Sequence, residues 1–330
     1  MKQSINNAQV VGTLKEMNLE LVTKEVVLGS GTANEKKVTC QQFAKKEFKN
    51  PMFTVEVNGN DVGVDFFPVS EKKLDENGSV IDNPRFKSFV TIFENYVPKI
   101  VDSEKATRVK IDGSIRENGY ADKTTFDWKS FVVINGFSMT SSGVPEEDST
   151  DSEVSGVITN IVHETKNDDT ETGRLNVELY TFDNNGDGFP VKLVVESDMA
   201  SDFESYYDIG QSVKLYYEVS MKQVGGAKPT VGGFGRRDSK RVSGFTVTEF
   251  SVFRGDDPFE EENDYFVSID EVKKVKEARE IMIKKKQEEA KNGSNTSSKP
   301  SPKASASTVK SNPFGGSSTS EAPKKKNPFA

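Results

Sequence analysis

The stretch that decides the fold is Ser212–Arg254, with the sequence SVKLYYEVSMKQVGGAKPTVGGFGRRDSKRVSGFTVTEFSVFR. Val213, Leu215, Tyr217 and Val219 alternate with other residues in its first part, and apolar residues recur less regularly in its last part. A period of two is typical of strands with one buried face, so the stretch predicts a hairpin. Its glycine-rich loop has a single acid and a set of cations, namely Lys222, Lys228, Arg236, Arg237, Lys240 and Arg241. On a chain of net charge −8, such a loop predicts contact with a polyanion.

The composition predicts two folded domains and a disordered part. The chain has 330 residues, of which 34% are hydrophobic, a low share for a fully folded protein. It has no apolar run long enough to span a bilayer, and its first residues lack the apolar segment of a signal peptide. Its single cysteine, Cys40, has no partner for an internal disulfide. We therefore expect a soluble protein in a reducing, cytoplasmic compartment.

The same order of elements is predicted twice along the chain. The first copy has an apolar run at Val10–Leu14, a hairpin across Asn58–Asp61, a short helix within 86–100 and a second hairpin within 106–140. The second copy has Val154–Ile158, a hairpin across 183–188, a short helix within 198–208 and the hairpin Ser212–Arg254. A glycine inside the first strand of each copy predicts a bend or bulge. The repeated order therefore predicts a duplicated fold.

These patterns divide the chain into six segments. A capping box at Ser268 and Glu271 starts a helix whose apolar stripe is Ile269, Val272, Val275 and Met282. The end of the chain is rich in Ser, Pro and Lys, which predicts disorder. The segments are a first barrel domain at 1–142, an acidic linker at 143–153, a second barrel domain at 154–255, an acidic segment at 256–267, an amphipathic helix at 268–291 and a disordered tail at 292–330.

The sequence shows no catalytic or metal-binding constellation. His163 is the only histidine, and no phosphate-binding loop or nucleophile elbow is present. Asp183–Gly188 resembles the first half of an EF-hand loop, but the twelfth position is Val194 where a bidentate Glu is needed. A hairpin turn is the favoured interpretation, and calcium binding there is left open. We expect a protein without enzymatic activity, cofactor or metal.

Strand, hairpin, helix, hairpin is the order of the five-stranded Greek-key barrel known as the OB-fold. The predicted fold class is therefore mainly β, with two tandem OB-fold-like barrels, a C-terminal helix and a disordered tail. Ligands of this fold lie on strands 2 and 3, between the loops that join strands 1–2 and 4–5.

Sequence-tolerant binding of a single strand needs cations for its backbone and flat rings for its bases. Three loops combine both, although core burial of each ring and solvation of each cation are the simpler alternatives. The candidates before strand 2 of the first barrel are Phe43, Lys45, Lys46, Phe48 and Lys49. Those in its strand 4–5 loop are Arg116, Tyr120, Lys123, Trp128 and Lys129. Those of the second barrel are Phe234 and the six cations of the hairpin loop.

The run INNAQVVGTL at 5–14 resembles the first strand of bacterial-type single-stranded DNA-binding proteins, and each half of the chain resembles one OB-fold. The whole resembles phage-encoded relatives that carry two such folds in one chain. This resemblance implies non-enzymatic binding and protection of single-stranded DNA during DNA replication, recombination or repair. It also implies the bacterial host cytoplasm as the location.

The resemblance also suggests how replication or recombination proteins would be recruited. Bacterial members end in an acidic tail whose Pro-Phe tip recruits other replication proteins. Here an acidic segment contains Asp257, Pro258 and Phe259, whereas the chain ends in Asn327, Pro328, Phe329 and an alanine behind three lysines. We expect partner binding at these two triplets, although the basic end departs from the family pattern.

Two other functions stay open. The Asn-Pro-Phe and Asp-Pro-Phe triplets resemble docking motifs of endocytic proteins, which would make the chain an adaptor. The acidic runs would also suit an inhibitor of a host DNA-binding protein. The sequence does not decide the oligomeric state, the site size, or the preference between DNA and RNA.

Overall fold

The computed structural model describes residues 4–165, 170–183, 186–224 and 245–296, and they form a mainly β protein. The first half contains β1 Asn6–Met17, β2 Leu19–Leu28, β3 Lys36–Lys45, β4 Phe53–Val57, β5 Asn60–Asp65, β6 Val69–Ser70, β7 Lys72–Leu74, β8 Val80–Asp82, α1 Pro84–Asn95, β9 Arg108–Ala121 and β10 Trp128–Thr140. The second half contains β11 Ser152–Thr165, β12 Glu171–Phe182, β13 Gly188–Val195, α2 Ala200–Tyr206, β14 Ser212–Val224, β15 Phe245–Gly255 and α3 Ile269–Thr296. No helix within the described ranges is long and apolar enough to cross a membrane.

Strand pairing closes two barrels. In the first, β1 pairs with both β4 and β9, β4 pairs with β5, β5 runs parallel to β10, and β10 pairs with β9. In the second, β11, β12, β13, β15 and β14 pair in the same cyclic order, with β13 parallel to β15. A helix lies between the third and fourth strands of each ring. The predicted fold class, with OB-fold-like barrels followed by a helix, is confirmed.

Each first strand carries a glycine where it crosses the second strand of its barrel. A Cβ on Gly12 would overlap the carbonyl oxygen of Glu56 in β4, and a Cβ on Gly156 would overlap that of Tyr180 in β12. Only glycine permits this close backbone approach. The two glycines therefore hold equivalent positions in the two barrels.

The alternation in Ser212–Arg254 correctly predicts the core of the second barrel. Val213, Leu215 and Tyr217 are fully buried, and Val219 and Phe250 are nearly so. Val247 belongs to the same stretch but is 40% exposed, because it lies on the outer face of β15. The side chain of Phe245 and the loop 225–244, with Lys228, Phe234, Arg236, Arg237, Lys240 and Arg241, lie outside the described residues.

Two features of the first barrel were not predicted. The chain between its first and second strands forms an additional hairpin, β2–β3, that pairs with β6. Phe43 in β3 is fully buried, with its ring centroid 5.0 Å from that of Phe86 and 5.9 Å from that of Phe89 in α1. The basic surroundings of Phe43 suggested a loop, but the inserted sheet carries this ring into the core.

The segment predicted as an acidic linker is fastened to the first barrel. The Asp148 carboxylate accepts a hydrogen bond from the Asn58 backbone at 2.8 Å and forms a 2.5 Å ion pair with Arg108. Ser149 bridges to Val11 in β1. Direct pairing of β1 with β11, through Asn6 opposite Val154, then joins the two barrels into one sheet.

The capping box that was predicted for the C-terminal helix is confirmed. The Ser268 backbone donates to Glu271 Oε2 at 2.8 Å, and the Glu271 backbone donates to Ser268 Oγ at 3.3 Å. Val272 is buried as predicted, but Met282 is 39% exposed. Polar helix side chains, namely Arg279, Lys286 and Gln287, contact the first barrel. The helix continues to Thr296, so residues 292–296 of the predicted disordered tail are helical, and the rest of that tail, from 297 onward, lies outside the described residues.

We predict that Gly12→Ala and Gly156→Ala each lower the free energy of unfolding by about 1–3 kcal/mol, because the added methyl group must displace a backbone carbonyl. Urea denaturation measures this free energy. Gly143→Ala measures backbone strain without a steric overlap, because φ is +65° there and no atom lies within 4 Å of the added Cβ. Equal effects at all three positions would contradict the close-approach explanation.

Candidate nucleic-acid interface

The hairpin β9–β10 extends beyond the wall of the first barrel. β1 pairs with β9 only as far as Gly113, and β5 pairs with β10 at Ile134 and Asn135. In the described part of the chain, the strand ends 116–121 and 128–133 therefore pair only with each other. Alternation gives this extension two faces: one continues the outside of the barrel and the other continues its inside.

The outside of this hairpin and the adjoining chain carry exposed rings beside cations. Four aromatic side chains are about half exposed: Phe67 at 47%, Tyr120 at 49%, Phe131 at 49% and Phe137 at 53%. Tyr120 lies opposite Lys129, and Arg116 lies opposite Val133 on the same face. The Arg116 guanidinium lies 4.6 Å from the centroid of the Phe67 ring. We call these six residues the outer surface; they are Phe67, Arg116, Tyr120, Lys129, Phe131 and Phe137.

The sequence did not predict that three of these residues, Phe67, Phe131 and Phe137, lie at the surface. Phe131 and Phe137 lie in a strand-like run, where an aromatic residue is normally assigned to the core. The register of β10 shifts between Gly136 and Ser138, so Phe137 has no opposite residue and lies at the surface. Phe67 follows β5, but the sequence predicted it to be part of a hairpin strand. Counting the inward positions Val132 and Ile134 would have identified Phe131 as outward facing.

Trp128 lies on the other face of the hairpin, although it was predicted together with Tyr120 and Lys129. A Cβ on Gly119 would overlap its indole ring, so the ring covers the backbone of the neighbouring strand. The Lys286 ammonium of α3 lies 5.4 Å from its ring centroid. Trp128 is thus enclosed between the hairpin and α3, away from the outer surface. Lys123 is exposed in the connecting loop.

The loop before β4 presents the most exposed ring among the described residues. Phe48 is 87% exposed, and Lys46 and Lys49 on either side are exposed as well. Lys45 instead pairs with Asp65 at 2.6 Å and is mostly covered. Within the described chain, no carboxylate lies within ion-pair distance of Lys46 or Lys49. This loop can offer both a stacking ring and free cations.

The second barrel meets the first beside this loop. A Cβ on Gly63 of β5 would lie 3.0 Å from Pro51 and 3.2 Å from the sulfur of Met221 in β14. The segment that follows Phe48 and the end of β14 therefore converge on one strand of the first barrel. Lys222, the next residue of β14, pairs with Glu249. The other predicted hairpin cations follow β14 in the sequence and lie outside the described residues.

The face expected to bind ligands, on strands 2 and 3 of the first barrel, carries three carboxylates that are each paired with a lysine. Its outward residues include Glu56 in β4 and Asp61 and Asp65 in β5. Lys99 pairs with Glu56 at 2.5 Å, Lys15 with Asp61 at 2.7 Å, and Lys45 with Asp65. The outward positions of β4 and β5 carry no aromatic ring, and Met221 approaches β5, so this face is less suited to stacking bases than the outer surface on β9 and β10.

Hydrogen bonds fix the charge states at the end of the hairpin. The Asp122 carboxylate accepts from Lys129 at 2.6 Å and from the backbones of Thr124 and Thr125. The hydrogen bond from Lys129, aided by the two backbone donors, holds the pKa of Asp122 well below its usual range. The same bond to Asp122 raises the pKa of Lys129. The lysine therefore stays cationic at any physiological pH.

The internal Asp-Pro-Phe triplet is tied to the second barrel. The Phe259 backbone donates to the Ser212 carbonyl at 2.8 Å, and its ring centroid lies 6.2 Å from that of Tyr265. The Asp257 carboxylate accepts from the Tyr206 hydroxyl. The triplet is thus presented as part of a folded surface and not as a free end. Asn327, Pro328 and Phe329 lie outside the described residues.

We predict very different losses of stability on truncation of two phenylalanines that the sequence places in one group. Phe43→Ala should lower the free energy of unfolding by about 3–5 kcal/mol, because it opens a cavity among the α1 rings. Phe48→Ala should change it by less than about 0.5 kcal/mol, because an exposed ring loses little on truncation. Urea denaturation of both variants measures the difference, and similar losses would contradict these placements.

Comparison with known proteins gives one family, and the solved structures that match include two of a bacterial protein. The model of the YorF family matches residues 4–289. No curated protein matches the chain. The wild-type single-stranded DNA-binding protein from Thermus aquaticus is 9% identical, with a TM-score of 0.40 over 79% of this chain and 96% of that chain. A deletion mutant of that protein is 10% identical, with a TM-score of 0.39 over 79% and 98%. Because its model spans most of the sequence, the chain belongs to the YorF family.

Proposed function

We propose that this protein binds single-stranded DNA without sequence preference and without catalysis. The observation that carries the proposal is the outer surface, where four exposed aromatic rings lie on one region of the first barrel beside Arg116 and Lys129. Exposed rings at this density are unusual on a soluble surface and indicate a binding site. The chemistry of flat rings and cations suits a ligand with flat bases and a charged backbone.

Stacking favours a single strand over a duplex. A ring on a sheet surface can contact the flat face of a base only when that base has left its own stack. Each such contact contributes about 1–3 kcal/mol and tolerates every base, because all bases have a π face. From Lys129 to Phe137 the strand spans about 26 Å, which gives room for several nucleotides.

Local positive charge would hold the phosphates. Lys46 and Lys49, which have no ion-pair partner among the described residues, provide cations beside the Phe48 ring. Arg116 provides a cation within the outer surface, where Lys129 is paired with Asp122. The remaining exposed surface is acidic on average, since the whole chain has a net charge of −8. Such a distribution guides a polyanion to the few basic places. The hairpin loop cations Arg236, Arg237, Lys240 and Arg241 belong to the proposal as an extension of this path.

The proposed cellular role is the coating and protection of DNA single strands during replication, recombination or repair. The phage origin of the chain and its action in a bacterial cytoplasm rest on the sequence resemblance described above. Recruitment of replication proteins by the acidic segment and the C-terminal tail is part of the same proposal. The adaptor alternative finds less support, because Phe259 is packed against Tyr265 and is not freely presented.

Titration with dT oligonucleotides at two salt concentrations tests the proposed function. We expect tight binding that weakens steeply as salt rises, and a much weaker response to duplex DNA of the same length. Binding to duplex and single strand with equal affinity, or to neither, would overturn the proposal.

Truncation of the outer rings should weaken binding without unfolding the protein. We predict that Phe131→Ala and Phe137→Ala each lose about 1–3 kcal/mol of binding free energy for dT oligonucleotides, the contribution of one base stack. Phe253→Ala is the matched control, because this ring is 41% exposed on the second barrel. Equal losses for Phe253→Ala, or no loss at Phe131 and Phe137, would contradict the assignment.

Charge reversal beside Phe48 should change the salt dependence. The double variant Lys46→Glu, Lys49→Glu should bind more weakly and should lower the slope of log affinity against log salt by about 1.4, since each phosphate contact on a single strand contributes about 0.7. The control Lys273→Glu, Lys274→Glu makes the same charge change on the exposed side of α3. If both double variants shift the slope equally, the effect is one of net charge and the loop has no specific contact.

A further inference from the structure

Helix α3 has an apolar anchor on the second barrel. Val272 is 1% exposed and packs in a cluster with Val157, Tyr180 and Val267. Val275 and Phe182 pack against the same cluster. Burial of this kind holds the first turns of the helix firmly in place.

The second part of α3 contacts the first barrel through polar groups. Ile281 is 70% exposed and does not make the contact, whereas Ile283, spaced four residues from both Arg279 and Gln287, is partly buried. Arg279 donates to both carboxylate oxygens of Glu117, with Nε 3.2 Å from Oε2. The Lys286 ammonium lies over the Trp128 ring, and the Gln287 amide donates to the Phe126 carbonyl at 2.9 Å.

The contacts to Glu117 and Trp128 fall on the face of the extended hairpin β9–β10 opposite the outer surface, and the contact to Phe126 falls on its connecting loop. Glu117 alternates with Arg116 along β9, and Trp128 alternates with Lys129 along β10. Within the described chain, this part of the hairpin has no other strand beside it. A two-stranded ribbon alone is marginally stable in water. The helix therefore supplies the support that the barrel wall does not.

The ion pair is well placed to fix the hairpin. The side chain of Arg279 is 18% exposed and that of Glu117 is 13% exposed. A bidentate pair sets orientation as well as distance. Removal of one partner leaves a largely covered charge without compensation, which is strongly unfavourable.

We propose that α3 holds the hairpin in the geometry in which its outer surface binds a single-stranded nucleic acid, with Arg279 and Glu117 as the positioning pair. This inference rests on the proposed function. Neither residue touches the nucleic acid, because both lie between the hairpin and the helix. Loss of the pair lets the hairpin move, and the outer rings then lose their alignment for stacking.

A charge-swap series on the full chain tests the inference. Glu117→Arg and Arg279→Glu should each lower the affinity for a dT oligonucleotide by about tenfold, and the double variant should recover most of it. Glu117→Arg is the decisive single change. It makes the protein more positive, so a general electrostatic effect would tighten binding whereas misplacement of the hairpin weakens it. Lys273→Glu, whose partner Asp270 lies on the exposed side of α3, is the control for Arg279→Glu.

Two further readouts separate positioning from loss of structure. The emission of Trp128, the only tryptophan, should shift in both single variants and return in the double variant, because Lys286 leaves and then regains its ring. Circular dichroism should show that both barrels remain folded. Wild-type affinity in both single variants would overturn the inference but leave the proposed function intact. Lack of recovery in the folded double variant would also overturn it, whereas a wild-type protein that ignores dT would overturn the proposed function.

Discussion

The structure depends on one backbone ladder, the pairing of β9 with β10 past the edge of the first barrel. Six residues of β9, 116–121, continue to pair with β10 after β1 and β5 have ended their contacts. Alternation along this ladder separates Arg116, Tyr120 and Phe131 from Glu117 and Trp128. One face is therefore free for a ligand, while the other is free for a helix. A shift of register by one residue would exchange the two sets.

Two connections link the second barrel to the first. Pairing of β1 with β11 joins their sheets, and α3 returns from the second barrel to support the hairpin. Met221 of β14 also approaches β5 next to the loop of Phe48. These contacts combine residues from both halves of the chain into one region of rings and cations. The duplicated fold therefore does not imply two identical sites.

The periodic parts of the fold could be predicted from the sequence, since alternation and the glycines of β1 and β11 report local backbone requirements. Residues whose environment depends on segments far away in the sequence could not be predicted. Phe43 looks like a loop residue until the unpredicted β2–β3 hairpin carries it into the core, and Trp128 looks like a partner of Tyr120 until α3 covers it. Phe131 and Phe137 were hidden because an aromatic residue in a strand is assigned to the core by default. In the candidate site, Arg116, Tyr120, Lys129, Lys46 and Phe48 were chosen for the rings and cations of loops that the repeated fold predicts, and their role in binding stays a prediction.

The central claim is that single-stranded DNA lies across the outer surface of the first barrel. Photochemical cross-linking of the full chain to a dT oligonucleotide, followed by mass spectrometry of the linked peptides, tests this most directly. The account predicts cross-links at Phe131, Phe137 and Phe67, with further links at Phe48. Cross-links confined to the second barrel or to the β4–β5 face, with none on β10, would contradict it.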